Sequence, residues 1–172
     1  MNEPASKEKI QEIYPLLCGA IGHVVISWSF IEHALDQFVA IARQHGGGSG
    51  IDDELPRALK RKLTVIRTAL KKSKALLSFS EEGLGIIEEI SELSEKRHSL
   101  VHGVLYTLQQ DLGKLQFAKF EYSSNKHQLK RFEYGIGDLT STGDEMMEVA
   151  DRMATLSHCA ARHFHDLKQR GR

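Results

Sequence analysis

The chain has 172 residues, 41% of them hydrophobic, which fits one domain (1–172) with a substantial core. Its 23 basic and 23 acidic residues cancel, so the whole-molecule field neither selects nor rejects nucleic acid. The two cysteines, Cys18 and Cys159, are too few and too far apart for a disulfide framework or a zinc ribbon, and they point to a reducing, cytoplasmic setting.

Met1–Glu12 mixes acids and bases, unlike the basic start of a secretory signal. The 19 residues from Ile13 to Ile31 carry no formal charge, nominally enough to span a bilayer. They include Pro15, Gly19, Gly22, His23, Ser27 and Ser29, and their apolar positions continue in helical register to Leu35 and Phe38. This pattern predicts a core helix over 16–44 and no membrane partner. His45-Gly46-Gly47-Gly48-Ser49-Gly50 ends that helix. It has neither the Gly-Lys-Ser/Thr ending nor the preceding strand of a phosphate loop, and reads as a flexible connection.

A second helix is predicted over 53–73, with Leu59, Leu63, Ile66 and Leu70 as its apolar stripe. Residues 57–74 contain eight cations and no acid, the strongest charge bias in the chain. Arg57, Lys60, Arg61, Arg67 and Lys71 are the candidates for contacting a polyanion such as RNA. A third helix over 80–102 carries Glu81, Glu82, Glu88, Glu89, Glu92 and Glu95, and opposed charges on neighbouring helices can also simply neutralise one another.

Beyond Gly103 the period changes from helical to extended: Val104, Tyr106 and Leu108 alternate, then Leu115 and Phe117, Phe120 and Tyr122, and Leu129, Phe132, Tyr134 and Ile136. With turns at 111–114 and 123–126, this predicts a three-stranded antiparallel meander inserted at 104–137. Slips in the alternation between Phe117 and Phe120, and between Leu129 and Phe132, predict a bulge shared by the second and third strands. Thr142 followed by Glu145 resembles a capping box, which would open a last helix running to about Lys168. The expected fold is mainly α, a four-helix bundle with a small sheet before its last helix.

The chemistry concentrates in Glu95-Lys96-Arg97-His98-Ser99-Leu100-Val101-His102-Gly103. Ile86, Ile87, Ile90, Leu93, Leu100 and Val101 define one helix face, and Arg97 falls near its centre. A guanidinium forks onto phosphate oxygens and stabilises the extra charge of a phosphoryl transition state. An imidazole moves protons near neutrality, so Arg97 and His102 together suit metal-independent cleavage of RNA. Five residues on one helix place them about 140° apart, which favours pooling the residues of two third helices across a two-fold axis. His98 and His102, with His158, His163 or His165, would be the nearest approach to a metal site, but the Glu of the His-Glu-x2-His signature is missing.

These residues resemble the HEPN superfamily, helical-bundle proteins that include toxins and defence ribonucleases. Arg97, polar His98 and His102 match the Arg-polar-x3-His form of its motif, and Trp28-Ser29-Phe30-Ile31-Glu32 is similar to the aromatic and acid of its first helix. The resemblance covers about Gly22 to His102 and the last helix. It implies a cytoplasmic, homodimeric endoribonuclease of toxin–antitoxin or defence type, with an antitoxin or neighbouring regulatory protein as partner and without a cofactor. Arg97 and His102 would be its catalytic pair, with His98 assisting and Glu32 orienting Arg97 or His98. His98 stands where the family often has Asn. With 10 Arg and 9 His, about one or two such spacings arise by chance, and Arg152 with His158 supplies a second. Met153 follows that arginine and no glycine ends its helix, so context favours Arg97. The alternative is a non-catalytic binding or dimerisation module in which Arg97 is clamped to a carboxylate.

Overall fold

A computed structural model describes residues 7–45, 56–109, 114–123 and 126–170. The protein is mainly helical, with four helices and a three-stranded antiparallel sheet before the last of them. Helix α1 spans Lys7–His45, α2 Leu59–Lys72 and α3 Ser80–His102; a 3₁₀ segment, Lys74–Phe79, joins the latter two. Strands β1 (Val104–Gln109), β2 (Lys114–Ser123) and β3 (Lys126–Gly135) lead into α4, Ile136–Arg170. The glycine run at 46–50 and the tips of both strand turns lie outside the described residues, as do residues 53–55 of the predicted second helix.

The chain forms two compact units, and α1, α3 and α4 each contribute to both. The helical unit comprises residues 28–91 and 146–170. Trp28, Ile31, Leu35 and Phe38 of α1, Leu63, Ile66 and Leu70 of α2, Ile86, Ile87 and Ile90 of α3, and Met146, Met153 and Leu156 of α4 are buried at helical spacing, giving each helix one inward stripe. Gly83 lets α3 approach its neighbours closely: a Cβ there would meet Leu70 Cδ1 at 2.7 Å and Leu156 Cδ2 at 3.1 Å. Three polar links tie the helices: Lys62 to Asp36 at 2.6 Å, Arg152 to Glu89, and the Ser157 hydroxyl to the Ala34 carbonyl at 3.5 Å.

The sheet unit comprises residues 7–27 and 92–145. Its core draws on Leu17, Ala20 and Val24, on Leu93 and Leu100, and on Leu115, Phe117 and Leu139. His23 of α1 reaches Asp144 of α4 at 2.8 Å, and Lys96 of α3 reaches Glu145 at 2.9 Å. Gly143 makes room for the first of these, since a Cβ there would collide with the His23 ring.

Four details depart from the sequence expectation. Helix α1 begins at Lys7 and contains Pro15. The lost amide bond would free the Gln11 carbonyl, and Gln11, Tyr14, Pro15 and Leu16 are all exposed, where water can serve it. Helix α2 starts only after Ala58, whose backbone is extended (φ −76°, ψ 129°). The bulge lies elsewhere: β2 and β3 pair without interruption from Lys114↔Gly135 to Ser123↔Lys126, and the register shifts instead between β1 and β2, at Leu105/Thr107. The alternation slips because Ala118 is buried while Phe120 and its partner Leu129 are exposed, not because a residue is inserted. Finally, α4 starts at Ile136 rather than near Thr142, whose hydroxyl donates to the Asp138 carbonyl inside the helix.

Among the described residues α1 is long and apolar enough to cross a bilayer, with a mean hydropathy of 1.5 over its most apolar stretch, 28% of it buried. One face is core; Tyr14, Leu16, Val25, Ile26 and Phe30 on the remainder are exposed.

Candidate active site at the end of the third helix

Helix α3 carries Arg97, His98 and His102 through its last two turns, all within the sheet unit. Positions 98 and 102 are one turn apart, so the two imidazoles meet, with ring centroids 4.5 Å apart and an interplanar angle of 56°. Gly103 follows without the left-handed backbone of a helix-stopping glycine. It is needed for space, because a Cβ there would sit 2.5 Å from the Ser99 carbonyl oxygen and 3.4 Å from Phe117 Cβ. Strand β2 therefore crosses close over the end of the helix.

Arg97 is half-buried, and its Nε is sealed from solvent without a hydrogen-bond partner among the described residues. An unmet donor in such a place costs about 1–3 kcal/mol, so the arrangement is incomplete as it stands. His98 is pushed below the ordinary imidazole pKa by desolvation first, then by the charges of Lys119, His102 and Arg97, while Glu95 pulls the other way. It is held toward its neutral, proton-accepting form.

The second Arg–His match has a different setting. Arg152 is gripped by Glu89 through two hydrogen bonds, 2.7 Å from Nη1 and 3.0 Å from Nη2, which raise its pKa further. His158 meets Arg162 Nη2 at 3.0 Å. This arginine is the one clamped to a carboxylate; Arg97 has no ion-pair partner among the described residues.

Glu32 belongs to the helical unit, where it accepts a hydrogen bond from Trp28 Nε1 at 2.9 Å. The basic candidates lie in that unit too. Arg57, Lys60, Arg61 and Lys71 are exposed and Arg67 is half-buried, whereas neighbouring Lys62 turns inward to Asp36 of α1. No group of three His, Cys, Asp or Glu among the described residues is placed to hold a metal ion, and His163 instead packs edge-on to Phe79. Cys18 and Cys159 are free, exposed thiols.

A cleft of about 390 Å³ in the sheet unit is lined by Lys96, Glu133, Tyr134, Asp138, Ser141, Thr142 and Glu145, none of them a residue singled out as catalytic. Its charges are largely engaged: Lys96 with Glu145, Glu133 with Gln116 and Lys114, and Asp138 with the Gly135 amide. Burial holds the Tyr134 phenol above its usual pKa.

Lys119 is the residue that sequence reading missed beside His98. Only the strand register, which brings β2 over the helix end, connects two residues so far apart in sequence. The chain matches no family model, and neither a curated protein nor a solved structure was found to be similar to it.

Proposed function

We propose that this protein is a metal-independent endoribonuclease of HEPN type, acting at the end of α3. The observation that carries the reading is the contacting His98–His102 imidazole pair, one member of which is held toward neutrality, on the same helix end as an Arg97 without an ion-pair partner among the described residues. A phosphate bound to the terminal nitrogens of the Arg97 fork would supply the charge that no carboxylate gives it. His98 would take the proton of a ribose 2′-hydroxyl as its oxygen attacks phosphorus. His102 would return a proton to the departing 5′-oxygen as the P–O bond breaks, leaving a 2′,3′-cyclic phosphate and a 5′-hydroxyl. Arg97 would hold the non-bridging oxygens while charge builds on them.

In this proposal two copies meet along α3 to share a cleft, and the exposed cations of α2 attract the RNA. The free thiols suit a cytoplasmic protein. The test is cleavage of mixed single-stranded RNAs in excess chelator. Arg97→Ala and His102→Ala should each lower the rate by about 10²-fold or more, with the fold retained by circular dichroism. Intact RNA with parent protein, or equal cutting by both variants, would sink the nuclease reading and favour a binding module.

A further inference from the structure

We propose that the outward face of α1 in the sheet unit is a docking surface for a second copy of this chain, the two helices crossing antiparallel at Gly22. The inference concerns a different helix from the α3 site and does not rest on the nuclease reading.

Residues 13–31 carry no formal charge, yet the core takes only one side of them. Leu17, Ala20 and Val24 are buried, while Tyr14, Leu16, Val25 and Ile26 are 60%, 61%, 44% and 57% exposed. At 100° per residue these four share the outward side of the helix with Cys18, Gly19 and Gly22. A Cβ at Gly19 or Gly22 would meet nothing within 4 Å, so neither glycine serves a close approach within the chain, as Gly83 and Gly143 do. Both disfavour the helix that contains them, and the approach of a backbone from outside is the use left to them.

The face is complementary to itself. About a two-fold axis at Gly22, position 25 faces 19 of the other copy and position 26 faces 18, so Val25 and Ile26 of each settle over the hollow left by Gly19 and Cys18. The four large apolar residues and the small ones between them offer roughly 500 Å² per copy, so the pair would bury about 1,000 Å², the lower limit for a specific interface. Charge favours a copy over a lipid surface. The centre of the face has nothing to repel its twin, and the nearest charged residues along the helix are acids, Glu12 and Glu32. They lie ten residues to either side of Gly22, about 15 Å along the axis, where crossed helices have parted. Acids in those places repel the anionic headgroups that draw amphipathic helices to membranes, and the cations such helices use are missing from this face.

The experiment is sedimentation equilibrium of the full chain from about 1 to 300 µM, with reversible association expected at a Kd on the order of 10 µM for an interface of this size. Ile26→Glu and Gly22→Leu should each weaken association about tenfold or more, by burying a charge and by filling the hollow. The open space at Gly22 and the better helix propensity of leucine keep Gly22→Leu folded, with a thermal melt no lower than the parent's. Phe120→Glu, which alters an equally exposed apolar residue on the sheet, should leave association unchanged. If α3 also pairs, the parent sediments as a tetramer that both α1 variants reduce to a dimer; if it does not, they reduce a dimer to a monomer, and either result upholds the proposal. A parent that stays monomeric at the highest concentration would overturn it. So would a dimer indifferent to Ile26→Glu and Gly22→Leu, which would leave pairing along α3 standing. Flotation of a monomeric parent with vesicles of equal parts phosphatidylcholine and phosphatidylglycerol, abolished by Ile26→Glu, would assign the face to a membrane instead.

Discussion

Two arginines in this chain stand five or six residues ahead of a histidine, and what surrounds each decides what it can do. Arg152 shares two hydrogen bonds with Glu89, so its charge is already answered. Arg97 keeps a buried Nε with nothing to bond. Arg152→Ala should therefore cost about 1 kcal/mol of stability, the upper range for an ion pair that is partly solvated, and leave RNA cleavage intact. Arg97→Lys should keep stability within about 0.5 kcal/mol while losing cleavage by about 10²-fold, because an ammonium keeps the charge without the fork. Thermal melts beside a cleavage assay separate the two patterns. The spacing that singles out Arg97 is legible in sequence; the contrast with Arg152 is not, since only folding pairs Glu89 with a residue 63 positions away. Lys119 was hidden for the same reason, as its relation to His98 depends on where a strand comes to lie.

At the scale of elements, helices were read more surely than their ends. The limits of α3 agree with expectation, although Gly103 marks the end by the space it leaves for β2 and not by a left-handed turn. The start of α4 does not: the Thr142/Glu145 pair imitates a capping box, yet Thr142 bonds within the helix and Glu145 turns to Lys96. The working device lies seven residues earlier, where the Asp138 carboxylate accepts the Gly135 amide hydrogen at 2.7 Å. That back-bond satisfies one of the amides a helix start leaves open, and its carboxylate sits favourably at the positive end of the helix. Asp138→Ala should destabilise by about 1 kcal/mol in a denaturant melt, and Asp138→Asn, which retains the acceptor, should recover much of it. Sequence alternation likewise located the three strands but misplaced their bulge. An exposed Phe120 facing an exposed Leu129 mimics a change of face, when the pairing is in fact regular.

For the molecule as a whole, a net charge of zero means that attraction for RNA must come from local cations. If the exposed side of α2 guides the strand, binding of a labelled single-stranded RNA should weaken with salt. Reversing Lys60 and Lys71 to Glu should flatten the log–log slope by about 1.4, at roughly 0.7 per lost phosphate contact. An unaltered slope in a fluorescence anisotropy titration would place the RNA elsewhere. The junction between α3 and β1 sets a further limit. One residue, Gly103, separates the helix carrying His102 from the first strand, and β2 folds back to touch that glycine. The meander invites trimming as an accessory. Replacing 104–137 with a short loop would strip the roof from the helix end and take Lys119 with it, so a minimal all-helical version of this protein would retain its motif and forfeit the surroundings that give the motif its chemistry.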